Sequence, residues 1–227
     1  MRKYIESFRI FTGRQMGIES LAYMLIGTFC PLILAVAETC TRSVSDFMVG
    51  FTSATLPIFS GFMPICPCLL ILNIFKSNAA EISGYKYLHS IPSSGMAFRN
   101  ALVFVNAAAP ILMLIMLAVH AAVCLWLNVT MMFSLFLFGT GLAIVGSVNL
   151  TGSIKNAWAI AAFEVMAVQF AIGVIAGISV EKCVISAPIA AAAIAIGFVL
   201  YAAGFAFTLT NSKKCGQLRK GRRHDGT

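Results

Sequence analysis

The sequence predicts an all-α membrane protein that crosses the bilayer six times. Of its 227 residues, 59% are hydrophobic and 11% are charged, and the mean hydropathy is +0.91. An ordinary soluble domain carries about 25% charged residues. A helix needs about 20 apolar residues to cross a hydrocarbon core of about 30 Å. Six runs without lysine or arginine meet that requirement, at residues 20–38, 48–75, 101–127, 131–149, 156–179 and 184–210.

The basic residues predict the orientation of the chain. An even number of spans places both termini on the same side of the membrane. Of the 16 lysines and arginines, only Arg42 and Lys182 fall on the other side, which leaves 14 on the side of the termini. Because basic residues favour cytoplasmic loops, we expect both termini and the loop over residues 76–100 to be cytoplasmic in a multi-pass protein of the cell membrane.

Residues 1–15 are predicted to form an amphipathic helix that lies in the membrane interface. At 100° per residue, one helix face is apolar and the opposite face is charged. The apolar face holds Met1, Tyr4, Ile5, Phe8 and Phe11, and the charged face holds Arg2, Glu6 and Arg9. Such a helix is either a membrane-surface anchor or a lever on which a cytoplasmic partner acts.

The rest of the chain divides into a six-helix transmembrane domain, residues 16–212, and a basic cytoplasmic tail, residues 213–227. A cationic segment beside anionic headgroups gains about 1 kcal/mol per basic residue. The tail and the net charge of +8 are therefore explained by contact with the lipid bilayer, and nucleic-acid binding is not expected.

The second span carries a stripe of small residues and prolines on one helix face. They are Gly50, Ser53, Pro57, Ser60, Pro64 and Pro67, which alternate at spacings of three and four. A face of this kind lets another helix approach closely, and prolines leave backbone carbonyls that need other donors. The stripe indicates either close helix packing or the border of a translocation path.

Two polar residues of the third span have simple structural interpretations. Pro110 lies four residues after Asn106, so it frees the Asn106 carbonyl from its helical hydrogen bond and bends the helix. His120 lies toward the outer end of the same span. A single histidine at this depth is more typical of hydrogen-bonded packing than of proton transfer.

Glu164 is the single acid deep inside a predicted span. It follows Lys155 by nine residues, which places it roughly 13 Å into the helix. An acid at this depth costs about 2.5–3.5 kcal/mol, so its side chain should face the protein interior. Glu164 is predicted either to act in transport or gating, or to be a hydrogen-bonded structural residue.

The cysteines predict neither a metal site nor a disulfide framework. Cys66-Pro67-Cys68 is similar to the metal-binding motif of heavy-metal-pumping P-type ATPases, but the chain lacks their phosphorylation sequence. In a straight helix the two thiols also point about 160° apart. A bridge between Cys40 and Cys183, on the outer side, stays open. We expect no cofactor.

The sequence also lacks the phosphate-binding loop, the zinc-protease motif and the nucleophile elbow that common enzymes carry. The chain is therefore not expected to be an enzyme, and any ATP hydrolysis belongs to another chain.

The loop over residues 76–100 is the longest polar interval, and its sequence resembles a known family. Glu81, Gly84 and the run Tyr87–Ser93 are similar to a segment of the permease subunits of ABC type-2 exporters, which commonly carry L-x-S-[LI]-P-x-S between spans two and three. Gly95 and Met96 occupy places where these permeases often have basic residues. The six spans, the cytoplasmic ends and the amphipathic N-terminal helix are also similar.

The resemblance implies an exporter. Two permeases, identical or paired with a sister chain, would sit above two ATP-binding subunits, and the substrate would be a peptide antibiotic, a drug or a lipid-like molecule. The coupling residues would be Glu81, Tyr85, Lys86, Tyr87, Leu88, His89, Pro92 and Arg99. The translocation path or gate would include Ser53, Pro57, Ser60, Pro64 and Glu164.

The alternative is a substrate-capturing membrane subunit of an energy-coupling-factor importer. Such subunits also have about six spans and contact a scaffold protein through small residues on helix faces. The sixth span carries a small-residue stripe, Ala190, Ala193, Gly197 and Gly204, which is suited to helix packing. The polar loop over residues 76–100 favours the exporter, because docking of an ATPase requires it and substrate capture does not.

Overall fold

The computed structural model describes residues 2–40, 55–78, 94–127, 130–151, 167 and 185–221, and the regular structure within these ranges is helical. The helices are α1 (Arg2–Cys40), α2 (Ile65–Asn78), α3 (Ser94–Leu127), α4 (Met132–Thr151) and α5 (Ala187–Gly221). A short helical segment, 55–60, and a turn over 61–64 precede α2.

Four apolar helical segments of the described chain are long enough to cross a membrane. They are Thr55–Phe75, Gly95–Leu127, Met132–Leu150 and Ala187–Thr210, and they coincide with predicted spans two, three, four and six. In α1 the apolar stretch is shorter, Met24–Ala37. The predicted fifth span, 156–179, lies outside the described residues except for Ala167. The described part of the chain is thus all-helical, with four helices that could span a membrane, and the full count of six spans stays a prediction.

The amphipathic N-terminal segment is helical, but it is continuous with the first apolar segment. Helix α1 runs from Arg2 to Cys40 without a break. The charged face is exposed, as predicted, with Arg2 and Glu6 paired at 2.8 Å. The apolar face packs against protein, because Phe11 is 2% exposed and Phe8 lies 5.2 Å from Phe104 between ring centroids. A position in the membrane interface stays a prediction.

An aromatic cluster joins the N-terminal part of α1 to the end of α2 and the start of α3. The Phe98 ring lies 5.7 Å from Phe11 and 6.1 Å from Phe75, in edge contacts that stabilise aromatic pairs. The amide of Asn73 also donates to the Phe11 carbonyl at 3.2 Å. We call Phe8, Phe11, Phe75, Phe98 and Phe104 the aromatic cluster. It ties α1 to both ends of the predicted cytoplasmic loop.

Helices α4 and α5 run parallel in very close contact. A Cβ atom added to Gly139 would lie 2.5 Å from the backbone of Ala193, and one added to Gly146 would lie 2.5 Å from the backbone of Leu200. The same closeness holds for Gly197 against Gly139 and for Gly204 against Gly146. The packing predicted for the stripe in the last span is therefore confirmed.

The described helices form two packing units. Helix α1 packs along α2 and α3, and α4 packs along α5, whereas contacts between these two groups are sparser. We call the boundary between the α1–α2–α3 unit and the α4–α5 unit the seam. Among the described residues, side chains that join the two units lie at the seam.

We predict that Gly197→Val destabilises the protein, because the added side chain would collide with the α4 backbone at Gly139. Overpacking of this kind costs about 1–3 kcal/mol. The measurement is thermal unfolding of the purified protein in detergent. Ala195→Val, on the exposed side of the same helix, is the matched control and should unfold near the wild-type temperature. Equal losses in the two variants would contradict the close contact.

Candidate functional site

Buried polar side chains in the described helices concentrate at the seam. Ser7 and Thr28 are buried on α1 and bond to carbonyls of their own helix. The other six buried polar residues are Ser60, Asn106, His120, Ser134, Asn149 and Thr208. They form two clusters, one toward each end of the seam.

The first cluster, which we call the histidine cluster, consists of Ser60, His120, Ser134 and the Gly27 carbonyl. His120 is 0% exposed. Its Nε2 lies 3.0 Å from the Gly27 oxygen, and its Nδ1 lies 2.9 Å from Ser60 Oγ. Ser60 Oγ is also 3.0 Å from Ser134 Oγ. These contacts bring together α1, the segment 55–60, α3 and α4.

The donors and acceptors in this cluster follow from its geometry. A carbonyl only accepts, so Nε2 of His120 carries the proton and donates to Gly27. In the neutral imidazole Nδ1 then accepts, so the Ser60 hydroxyl donates to it and accepts a bond from Ser134. The Leu56 carbonyl, 3.0 Å from Ser60 Oγ, is a second acceptor for the same hydroxyl.

Pro64 shapes the backbone that presents Ser60. Because proline has no N–H, the Ser60 carbonyl loses its usual partner four residues ahead. It accepts instead from the Met63 N–H at 3.2 Å, within a tightened turn in which Phe62 N–H bonds to Phe59 at 3.1 Å. Regular helix resumes when Cys68 N–H bonds to the Pro64 carbonyl at 3.0 Å.

The second cluster, which we call the asparagine cluster, is built on a reciprocal amide pair. Asn149 Nδ2 donates to Asn106 Oδ1 at 2.6 Å, and Asn106 Nδ2 donates to Asn149 Oδ1 at 3.3 Å. Each amide also donates within its own helix, to Leu102 at 3.0 Å and to Val145 at 3.1 Å. Both asparagines are 1% exposed. The amide N–H groups of the pair are therefore satisfied inside the protein.

Helix α5 completes the asparagine cluster with two hydroxyls. The Tyr201 hydroxyl donates to the Asn106 carbonyl, and Thr208 Oγ1 donates to the Asn149 carbonyl at 3.1 Å. The Asn106 carbonyl is the one that Pro110 deprives of its helical partner, as the sequence predicts. Tyr201 supplies the missing donor from another helix.

The two clusters contain hydroxyl, amide, imidazole and phenol groups, without a carboxylate or an ammonium. Such groups can hydrogen-bond uncharged polar atoms of a ligand. In this conformation Ser60 and His120 are both 0% exposed, so their pairing is closed to a substrate. Within the described residues there is no group of three or more histidines, cysteines and acids that could hold a metal, and Cys66 and Cys68 are buried free thiols.

The structure describes part of the predicted path. Pro57, Ser60 and Pro64 are buried inside the protein, and a Cβ atom on Gly141 of α4 would lie 3.4 Å from the Pro64 ring. This part of the stripe is closely packed in the described conformation and faces the seam at Ser60. Ser53 and Glu164 lie outside the described residues.

The predicted coupling residues lie mostly outside the described ranges as well. This holds for Glu81, Tyr85, Lys86, Tyr87, Leu88, His89 and Pro92, and for Cys183 of the open bridge. Arg99 is described and is exposed in the first turns of α3, beside Phe98 of the aromatic cluster. Arg99 is thus accessible beside the start of α3.

Sequence reasoning did not identify Ser134, Asn149, Tyr201 and Thr208 as site residues. Each is a single, weakly polar residue in an apolar run, which carries little signal by itself. A usable signal is their distribution, because Ser134 and Asn149 stand near opposite ends of the fourth span, as His120 and Asn106 do in the third.

Comparison of the chain with protein-family models, with curated proteins and with solved structures finds no match.

We predict that the two asparagines act as one unit in stability. Asn106→Leu or Asn149→Leu leaves one buried amide without its partner, which costs about 1–3 kcal/mol. The double variant should lose less than the sum of the single losses, because it removes both amides together. Denaturant unfolding of all four proteins gives the coupling free energy.

The control for this cycle is Thr210→Val, since Thr210 is exposed and bonds to carbonyls of its own helix. It should change the unfolding free energy by less than about 0.5 kcal/mol. Strict additivity of the two asparagine substitutions would contradict the amide pair.

Proposed function

We propose that this chain is the membrane-spanning permease subunit of an exporter similar to the ABC type-2 family. It works with a second permease, identical or a sister chain, and with separate ATP-binding subunits. The cargo is a peptide antibiotic, a drug or a lipid-like molecule. The observation that carries this proposal is the polar loop over residues 76–100 with its Tyr87–Ser93 run.

The aromatic cluster supports a coupling role for this loop. Helix α2 ends at Asn78 and α3 begins at Ser94, so the segment between them is anchored at both ends. Phe75 and Phe98, close to those ends, are 6.1 Å apart and pack with Phe11 of α1. A force applied to the loop by an ATP-binding subunit therefore acts on α1, α2 and α3 together.

The parallel packing of α4 and α5 supports the six-span topology. Helices that run in the same direction through a membrane need an odd number of crossings between them, and the predicted span 156–179 supplies one. The basic residues then favour cytoplasmic termini. In this proposal Glu164 belongs to the transport or gating machinery, because an acid at that depth carries an insertion free energy that is unfavourable, and acids placed there usually serve a function.

The importer alternative depends on a small-residue face of α5 that is already used for packing inside the chain. A substrate-capturing subunit needs its small-residue face free for a scaffold protein. Ala190 is 2% exposed, and Gly197 contacts Gly139 of α4 within the same protein. These residues are used for packing inside the chain.

Co-purification tests the proposed function. We expect that the tagged chain, extracted in mild detergent from its native host, brings an ATP-binding cassette protein with it. The double variant Tyr87→Ala with His89→Ala should release that protein, because it removes side chains that dock on the ATPase. The control is Arg222→Ala with His224→Ala, in the cytoplasmic tail, which should retain it.

Recovery of a bound small molecule without an ATP-binding protein would contradict the exporter and favour substrate capture. Retention of the ATPase by the loop variant would contradict the coupling role of Tyr87 and His89.

A further inference from the structure

The two polar clusters lie along one boundary, and their separation is comparable with most of the thickness of a hydrocarbon core. On α4, Ser134 and Asn149 are 15 residues apart, about 22 Å at the helical rise of 1.5 Å per residue. On α3, His120 and Asn106 are 14 residues apart, about 21 Å. The hydrocarbon core is about 30 Å thick. Polar groups therefore stand near both ends of the seam.

Both hydrogen bonds and apolar contacts cross the seam. Polar bonds cross it between Ser60 and Ser134, between Asn106 and Asn149, and from Tyr201 to the Asn106 carbonyl. Within the α4–α5 unit, glycines bring two backbones together. A buried apolar core that includes Met116 and Phe98 fills the α1–α2–α3 unit and continues across the seam to Leu142 and Val145 of α4.

Hydrogen bonds and close glycine contacts between helices respond differently when the helices separate. Hydrogen bonds between membrane helices are individually weak on average, because other partners can replace them. Glycine packing has no such replacement, since a gap between the backbones loses its van der Waals contacts. Contacts across the seam are also sparser than the contacts within the two units. The seam is therefore the boundary at which we expect the molecule to open, and whatever enters must offer hydrogen bonds to the exposed groups.

We propose that the seam is the substrate path, located within a single protein chain between the α1–α2–α3 unit and the α4–α5 unit. It takes uncharged molecules rich in amide and hydroxyl groups, such as a peptide backbone, because its own groups are hydroxyls, amides, an imidazole and a phenol. This inference rests on the proposed export function and specifies where the cargo passes. Ser60, from the predicted path, is joined there by Asn106, Ser134, Asn149 and Thr208.

Water access to single cysteines tests the path. In a variant whose native cysteines are replaced, Ser134→Cys and Thr208→Cys are introduced separately, since both changes nearly preserve side-chain size. Membranes from the native host are treated with a charged, water-soluble methanethiosulfonate during ATP hydrolysis and after ATP removal. The unmodified thiols are then counted by a gel shift with a maleimide polymer. Unfolding temperatures confirm that both variants fold.

Two controls separate water in the seam from general exposure. Met116→Cys is at a position 1% exposed that packs against Gly27 of α1, within the α1–α2–α3 unit, and Leu114→Cys, at a position 48% exposed, lies on the outer apolar surface of α3. Neither should react. We expect both seam cysteines to react at least about tenfold faster than Met116→Cys during ATP hydrolysis, because local opening admits water.

The outcomes distinguish the path from the export function. Seam cysteines that stay as unreactive as Met116→Cys with and without ATP would overturn the path and leave the export function standing. Seam cysteines that react equally with and without ATP would support the path and count against ATP-driven export.

A second variant tests whether the two ends open together. It combines Ser60→Cys, Ser134→Cys and Thr208→Cys. Oxidation joins positions 60 and 134 by a disulfide, because the Oγ atoms of Ser60 and Ser134 are 3.0 Å apart in the native protein. This disulfide should slow the modification of Thr208→Cys, and a reducing agent should restore the original rate of modification. Unchanged reactivity in the locked protein would overturn a continuous path.

Discussion

The lack of water in the bilayer core is the constraint on which this structure depends. Each buried polar group needs a partner inside the protein, and each proline in a helix adds one more free carbonyl. Pro64 frees the Ser60 carbonyl, which bonds to Met63, and Pro110 frees the Asn106 carbonyl, which bonds to Tyr201. The Asn106 carbonyl thus receives its hydrogen bond from another helix. Satisfying the backbone thus also connects α3 to α5.

This constraint gives the molecule two kinds of helix contact with different consequences. Gly139 and Gly146 fix α4 against α5 by backbone contact, and apolar packing fixes α1 against α2 and α3. The polar clusters and apolar residues of α4 such as Leu142 join the two units. In the described residues, the aromatic cluster at the two ends of the predicted coupling loop belongs to the α1–α2–α3 unit. Under the proposed coupling, a force on that loop would move α1, α2 and α3 relative to α4 and α5. The proposed coupling and the proposed path are in this way parts of one motion.

Much of the fold follows from the sequence because its signals are local. Hydropathy locates spans two, three, four and six, and the spacing of Asn106 and Pro110 predicts the freed carbonyl. The partner of Asn106 is not predictable in this way, because the pairing with Asn149 depends on how helices are arranged. The packing partner of the N-terminal segment is also not predictable from the sequence. Its amphipathic pattern is identical whether Phe8 and Phe11 face lipid or, as the structure has them, other helices.

The most direct measurement is the distance between the two units in the purified assembly. Spin labels at Leu114 of α3 and Val199 of α5, 48% and 68% exposed, report on the seam without entering it. A pair at Ile33 and Leu114, within one unit, is the reference. The account predicts that ATP adds a longer distance between α3 and α5 while the reference distance stays constant. A single unchanged distance between Leu114 and Val199 in every nucleotide state would contradict it.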